Sequence, residues 1–190
     1  MKDTNSSRIT NVDVKTLDYL SERYSIRGML DVDCGPGGMV DAAICRGIDA
    51  IGIDCDATIA EANPFVMAHD FTLRPLFWTA VDLIWCGQFI HQVEEQYVNN
   101  FLETFRSARL LFLFDAMSGE ARSSSVNATD SGRLDAHLQP YGFRLEETDT
   151  DWVRKFGGNV HTRATGQVFI NTRVREISMD RRIASLNLQL

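Results

Sequence analysis

The sequence predicts one α/β domain, doubly wound and built in three layers around a mainly parallel sheet. Three observations predict this fold. An apolar strand at the start of residues 29–38 runs into a glycine-rich turn and a helix. Apolar strand-like segments then alternate with helical patterns, and an acid follows the turn at an offset typical of nucleoside-binding sheets. With 190 residues and 44% hydrophobic content, the chain predicts a single domain over 1–190, with flexible ends at 1–10 and 176–190.

The composition narrows the classes of partner. A net charge of −7 and only three lysines make nucleic acid an unfavourable partner. No run of about 18 apolar residues exists and the N-terminus lacks the apolar core of a signal peptide, so we expect a cytoplasmic protein with no membrane partner. The four cysteines contain no CxxC pair, which favours packed, reduced thiols over a metal site.

The first predicted helix starts at Asn11, with Asp13 in its first turn. Its apolar face is formed by residues at helical spacing, namely Val14, Leu17, Leu20 and Tyr24. We expect it to lie over the edge of the ligand cleft. Most of its side chains have packing roles, and only Tyr19 and Tyr24 are candidates for contact with a ligand.

The stretch 29–38, MLDVDCGPGG, carries the main functional signal. Glycines at this turn leave the backbone open to a ligand, and two ligand types use such a turn: dinucleotides and S-adenosylmethionine. Dinucleotide sites read GxGxxG, whereas here only Gly35 and Gly37 match and Val40 takes the third place. A carboxylate at Asp31 would repel a pyrophosphate and attract the ammonium and sulfonium of S-adenosylmethionine.

These residues resemble motif I of the class I S-adenosylmethionine-dependent methyltransferases, whose usual form is LDxGxGxG. The resemblance implies a Rossmann-like, seven-stranded sheet with the last strand antiparallel, S-adenosyl-L-methionine as cofactor and S-adenosyl-L-homocysteine as product. Asp33 stands where the first glycine is expected. Its side chain either narrows the space for the methionine moiety or binds the ammonium group, and both remain open. On this resemblance the cofactor residues of the turn are Asp31, Asp33, Cys34, Gly35 and Gly37.

The second strand, residues 50–55, ends on Asp54 and Cys55. Asp54 lies 19 positions beyond Gly35, the offset at which doubly wound folds place a carboxylate against the ribose hydroxyls. A short helix at 57–62 then leads to a third strand within residues 64–71. The resemblance implies that Asp70 binds the adenine amino group and that Phe71 flanks the ring, although Phe71 is equally well explained as a core residue.

After a loop and a predicted helical turn at 72–80, residues 81–86 form an apolar strand that leaves the sheet at Cys86 and Gly87, where cofactor and acceptor should meet. Residues 89–105 predict a long amphipathic helix with Val93, Tyr97, Phe101 and Phe105 every four positions. The segment 82–105 resembles methyltransferases that include small bacteriophage and bacterial enzymes. A phage-encoded protein would act in the host cytoplasm.

A fifth strand at 110–119 ends at Asp115, and the polar loop 118–131 is either a substrate lid or an idle surface loop. A helix follows from Asp130 or Ser131 to Pro140 and Gly142. Strands at 143–148 and 166–173 come last, and the resemblance implies that they pair antiparallel at the edge of the sheet. The intervening residues 151–166 are expected to fold back over the site with His161.

Methyl transfer needs a positioned acceptor more than catalytic side chains. We expect transfer to oxygen on a small-molecule, sugar or protein acceptor, with His91 and Asp115 as catalytic candidates and His161 as a further base. No Asn/Asp-Pro-Pro-aromatic motif follows the fourth strand, which argues against methylation of DNA bases. The alternatives are a non-catalytic module that binds the cofactor or its product, and a nicotinamide-dependent oxidoreductase. The sequence leaves both a monomer and a homodimer open.

Overall fold

A computed structural model describes residues 12–87, 93–114 and 131–174. Within them the chain forms one seven-stranded sheet with the spatial order β3-β2-β1-β4-β5-β7-β6. All neighbours pair in parallel except β7, which is antiparallel to both β5 and β6. The strands are β1 (Gly28–Val32), β2 (Asp49–Asp54), β3 (Val66–Ala68), β4 (Val81–Gly87), β5 (Ala108–Phe114), β6 (Phe143–Leu145) and β7 (Gln167–Asn171). The predicted fold class is confirmed.

Helices cover both faces of this sheet. They are α1 (Val14–Tyr24), α2 (Gly38–Ile44), α3 (Ala57–Ala62), α4 (Val98–Phe105), α5 (Ser131–Leu138), α6 (Glu147–Phe156) and α7 (Val160–Thr165), with 3₁₀ turns at Glu95–Tyr97 and Gln139–Tyr141. No helix in the described part of the chain is long and apolar enough to cross a membrane.

Two apolar layers hold the helices to the sheet. The central strands β1, β4 and β5 are almost entirely buried because helices cover both faces, as their continuous apolar sequences predict. One layer, around Trp85 and Phe112, packs against α1, α2 and α6. The other, around Phe105 and Phe169, packs against α4 and α5.

Several predicted elements differ from the observed ones. The third strand is limited to Val66–Ala68, and residues 72–80 contain no helical turn. Among the described residues, the predicted 89–105 helix starts as a 3₁₀ turn at Glu95 and leaves Val93 outside it. The predicted loose ends, His91, Asp115 and most of the loop 118–131 lie outside the described residues.

The predicted strand at 143–148 stops at Leu145 because α6 begins at Glu147. Glu147 and Asp149 lie in the first turn of α6, where the exposed amides of a helix favour negative charge. The side chain of Thr150 accepts a hydrogen bond from the Val168 amide at 3.0 Å, which ties this turn to β7. The segment 151–166 is therefore mostly helical.

Asp13 joins α1 to the turn between α6 and α7. Its carboxylate caps α1 by accepting hydrogen bonds from the Thr16 amide (3.0 Å) and hydroxyl (2.8 Å). The same carboxylate accepts from the amides of Gly158 (2.8 Å) and Asn159 (3.3 Å). Asp13 is fully buried. Its one carboxylate therefore satisfies buried amides that belong to two separate segments of the chain.

Asp149 makes the second contact between α1 and α6. Its buried carboxylate accepts hydrogen bonds from the hydroxyls of Tyr19 (2.6 Å) and Tyr24, and pairs with Arg23 at 2.8 Å. Burial and the bond to Asp149 raise the pKa of Tyr19 to about 12. Tyr19 also stacks on Trp152 with ring centroids 3.7 Å apart. Both tyrosines that the sequence offered as candidates for ligand contact thus bind the neighbouring helix.

We expect Asp149→Ala to lower the free energy of unfolding by about 2–4 kcal/mol, because three donors lose their buried acceptor. Urea unfolding monitored by circular dichroism measures the change. Asp18→Ala is the control, since it removes the exposed pair between α1 and Arg46 and should cost less than about 1 kcal/mol. Equal losses in the two variants would contradict the role assigned to Asp149.

Candidate functional site

The carboxyl ends of β1, β2, β3 and β4 lie side by side along one side of the sheet, which we call the carboxyl edge. The register pairs Val32 of β1 with Ile53 of β2 and Cys86 of β4, and Asp54 with Ala68 of β3. The cofactor residues predicted from the sequence lie at the carboxyl ends of these strands or in the segments that follow them. In open parallel sheets, ligands bind in the crevice at this edge. The candidate site therefore lies here.

The glycine turn after β1 has a specific backbone shape. Asp33, Gly35 and Gly37 all have positive φ, at 60°, 54° and 90°. Aspartate is one of the few residues with a side chain that adopt this region readily, so Asp33 fits a position where glycine is usual. A Cβ at Gly37 would lie 2.6 Å from the side-chain nitrogen of Asn63, so this position needs glycine for its packing as well.

The Asp54 carboxylate holds the turn from the neighbouring strand. One oxygen accepts a hydrogen bond from the Gly35 amide at 2.9 Å, and the other accepts from the Asp56 amide at 2.9 Å. Asp54 is 1% exposed. The sequence offset had predicted that Asp54 binds the ribose hydroxyls, which stays a prediction, and had not predicted this bond to the turn.

Asp31, Asp33 and Asp54 form an acidic group at the turn. Asp31 is 4% exposed, and its pKa is raised well above the usual range, first by burial and then by the negative charges of Asp33 and Asp54. Burial and the same carboxylates raise the pKa of the Cys34 thiol, which therefore stays protonated. Acids placed this close favour a bound cation over a bound phosphate. No cluster of metal-ligating side chains is found among the described residues.

Cys34 has a packing role in addition to its place in the turn. Its amide donates to the Ile53 carbonyl at 3.2 Å, and its thiol donates to the Gly35 carbonyl at 3.3 Å. A Cβ at Gly52 would lie 2.6 Å from the Cys34 sulfur. The Cys34 side chain thus packs between the glycine turn and Gly52 of β2. Cys55, by contrast, is exposed.

Asp70 and Phe71 follow β3, beside Asp54. One Asp70 oxygen accepts from the Thr72 amide (2.8 Å) and hydroxyl (2.7 Å), and these bonds lower the pKa of Asp70. Phe71 is buried and stacks on Phe101 at 4.2 Å. Of the two interpretations of Phe71 that the sequence left open, its ring position agrees with the core residue. Asp70 remains partly exposed at the edge.

At the end of β4, Cys86 is fully buried in the apolar layer under α4, so its thiol is a core group. Gly87 is half-buried at the edge, and a Cβ there would lie 2.5 Å from the Phe114 ring. The position therefore needs glycine because Phe114 occupies the adjacent space. The catalytic candidates His91, four residues after β4, and Asp115, directly after β5, lie outside the described residues.

His161 lies on α7, which precedes Gln167 of β7. Gln167 pairs with Leu113 near the carboxyl end of β5, so α7 lies at the same edge as the glycine turn. The His161 Nδ1 atom is buried and has no hydrogen-bond partner among the described residues. This placement puts α7 at the same edge as the glycine turn, and the use of His161 as a base stays a prediction.

Comparison with known proteins identifies the fold. No protein-family model and no curated protein matches the chain. Solved structures do match. A TehB-like S-adenosylmethionine-dependent methyltransferase from Corynebacterium glutamicum shares 17% identity over 84% of this chain and 86% of its own, with a TM-score of 0.61. The methyltransferase domain of bacterial-CtHen1-CN shares 11% over 83% and 95%, with a TM-score of 0.56. The mitomycin 7-O-methyltransferase MmcR shares 13% over 70% and 48%, with a TM-score of 0.51. The chain has the fold of the class I methyltransferases.

The raised pKa of Asp31 predicts a specific dependence of stability on pH. A buried acid with a raised folded pKa stabilises the fold below its usual pKa of 3.8 and loses that contribution as the pH rises through the folded value. Asp31→Asn keeps the side chain neutral. We therefore expect the free energy of unfolding of this variant, relative to the unmodified protein, to increase as the pH rises above about 4.

Urea unfolding of both proteins across the pH range measures this difference. Asp49→Asn, at the exposed start of β2, is the matched control and should show no such trend. A constant difference between Asp31→Asn and the unmodified protein at every pH would contradict a raised pKa for Asp31.

Proposed function

We propose that this protein is an S-adenosylmethionine-dependent methyltransferase that transfers a methyl group to oxygen on a small-molecule, sugar or protein acceptor. The observation that supports this most is the bond between Asp54 and the Gly35 amide, made at the carboxyl edge beside Asp31 and Asp33. A fold shared with methyltransferases supports the same function. One structural neighbour is by name an oxygen methyltransferase, which agrees with the proposed acceptor atom.

The donor set of the site fits the chemistry of the cofactor. When bound, S-adenosylmethionine supplies a methyl group on a positively charged sulfur. In our proposal Asp54 accepts hydrogen bonds from the ribose hydroxyls and Asp70 binds the adenine amino group. Asp31 and Asp33 favour the ammonium and the sulfonium because both carboxyl groups lie at the turn. The same negative charge disfavours the pyrophosphate of a nicotinamide cofactor.

The acceptor side needs positioning and a route for one proton. Transfer to a hydroxyl releases its proton, which a nearby base takes up. His91 and Asp115 remain the proposed bases because Asp115 follows β5 directly in the sequence and His91 comes four residues after β4. His161 is a further candidate from the observed placement of α7.

Calorimetric titration tests the cofactor. We expect S-adenosylmethionine to bind and NADH to give no signal. Asp54→Ala should weaken binding by about 1–3 kcal/mol, because the ribose hydroxyls and the Gly35 amide both lose a charged acceptor. Asp49→Ala removes the same charge at the opposite end of β2 and should leave binding unchanged. Binding of NADH alone, or unaltered affinity in Asp54→Ala, would contradict the proposed site.

Methyl transfer itself is tested with a tritiated methyl donor against a panel of hydroxylated acceptors. Label recovered on an acceptor supports an enzyme. Cofactor binding with no transfer to any acceptor, including a lysate of small molecules and proteins, would instead indicate a non-catalytic binding module.

The charge of Asp33 should discriminate between cofactor and product. S-Adenosylmethionine carries one more positive charge than S-adenosylhomocysteine, while the space that the Asp33 side chain occupies affects both ligands alike. We expect Asp33→Gly to lower the ratio of the two affinities by about three-fold, because one nearby negative charge is removed. Titration of both ligands into both proteins measures the ratio. A ratio that stays the same would show that Asp33 acts through its size alone.

A further inference from the structure

The turn between α6 and α7 lies at the same sheet edge as the glycine turn. The Asp13 amide donates to the sulfur of Met39 at 3.2 Å, and Met39 is the second residue of α2. The Asp13 carboxylate binds the Gly158 and Asn159 amides, which places the α6–α7 turn beside the start of α1. α7 then leads to Gln167 opposite Leu113 of β5. The α6–α7 turn and the helix ends around it therefore form a surface that lies between the glycine turn and the carboxyl end of β5.

Cations collect on this surface, although the chain as a whole has a net charge of −7. Lys15 and Lys155, two of the three lysines in the sequence, are both exposed here. The Lys15 Cβ lies 3.6 Å from the point where a Cβ on Gly158 would be. Lys155 lies two residues before Gly157, so both lysines flank the same turn. Arg163 donates to the Gly157 carbonyl at 2.8 Å and Arg154 to the Gly166 carbonyl at 2.9 Å. These bonds fix the two guanidinium groups at the helix ends.

Large apolar side chains are exposed on the same surface. Val12 is 41% exposed, Phe156 is 47% and Val160 is 50%. They come from the residue before Asp13, the end of α6 and the start of α7, which Asp13 holds together. The ammonium of Lys155 lies 5.1 Å from the centre of the Phe156 ring. We call Val12, Lys15, Lys155, Phe156 and Val160 the basic corner.

We propose that the basic corner binds the methyl acceptor, and that the acceptor is a small anionic molecule with an apolar or aromatic body. The inference rests on the proposed function, because it assigns the substrate of that reaction. Charge complementarity carries it: the cofactor turn is acidic, whereas the adjacent corner is cationic and apolar. Exposed cations next to apolar side chains bind a carboxylate or phosphate together with the hydrocarbon attached to it. The two opposite charges also direct the two ligands to separate places along one edge.

Nuclear magnetic resonance of the nitrogen-15-labelled full chain tests whether the basic corner binds small anions in the absence of the cofactor. The probes are para-hydroxyphenylacetate, phenyl phosphate and the neutral para-hydroxyphenylacetamide. We expect both anions to shift amides within residues 154–163 and near Lys15, with dissociation constants at least about five-fold lower than that of the neutral amide. A stronger effect of one anion identifies carboxylate or phosphate as the natural group. Equal binding of the neutral probe, or shifts confined to other surfaces, would overturn the proposal.

Charge reversal provides the matched comparison. Lys15→Glu and Lys155→Glu should each weaken the anionic probes by about three-fold or more. Arg106→Glu reverses an exposed charge at the opposite end of the sheet, next to Glu103, and should have no effect. Unchanged affinity in both lysine variants would overturn the proposal. Binding to vesicles of phosphatidylcholine and phosphatidylglycerol, without any response to the small probes, would overturn it in favour of a membrane surface.

Parallel titration of S-adenosylmethionine separates the two claims. If the cofactor binds and the corner binds no anion, this inference fails and the proposed function stands. If the corner binds anions and the cofactor does not bind, the proposed function fails and, with it, the assignment of the corner to an acceptor.

Discussion

The candidate site depends on one carboxylate that crosses between two strands. Asp54 ends β2, and its side chain accepts the Gly35 amide of the turn that follows β1. The Asp56 amide occupies its other oxygen, so the ends of both strands share a single acceptor. Without it, the buried Gly35 amide would lose its charged acceptor, and an unpaired buried amide is costly. Asp82 has a similar role at the opposite end of the sheet, where its carboxylate accepts hydrogen bonds from the Arg27 and Gly28 amides at 2.9 and 3.0 Å.

Charge is distributed unevenly around the edge of the sheet. The negative charges of Asp33 and Asp54 make Asp31 harder to ionise at the glycine turn, whereas Lys15 and Lys155 near the α6–α7 turn are positive and exposed. A buried group of like charges is tolerated in a fold when a ligand of opposite sign, or protonation, offsets the repulsion. Hydrogen bonds of Asp13 connect the two charged regions. Its amide donates to Met39 at the start of α2, and its carboxylate accepts from Gly158 in the α6–α7 turn.

The sequence predicted the elements whose signals are local. The glycine turn, the acid at the end of β2 and the apolar central strands are each encoded within a few residues. α3 was likewise found at residues 57–62 as predicted. The helical nature of α6 was missed because its ten residues contain few apolar side chains, and its position depends on tertiary contacts of Asp149 and Trp152 with α1. The cationic surface was missed for a related reason, since Lys15 and Lys155 are remote in sequence and come to the same turn only because Asp13 binds Gly158.

The close fit between Gly87 and Phe114 couples two adjacent strands. The Phe114 ring fills the space that any side chain at position 87 would need, with 2.5 Å between a Cβ there and the ring. A larger residue at position 87 is therefore compatible with this backbone only if position 114 becomes smaller. Homologues should consequently show correlated exchange at these two positions, and a redesign that widens the mouth of the crevice has to alter them as a pair.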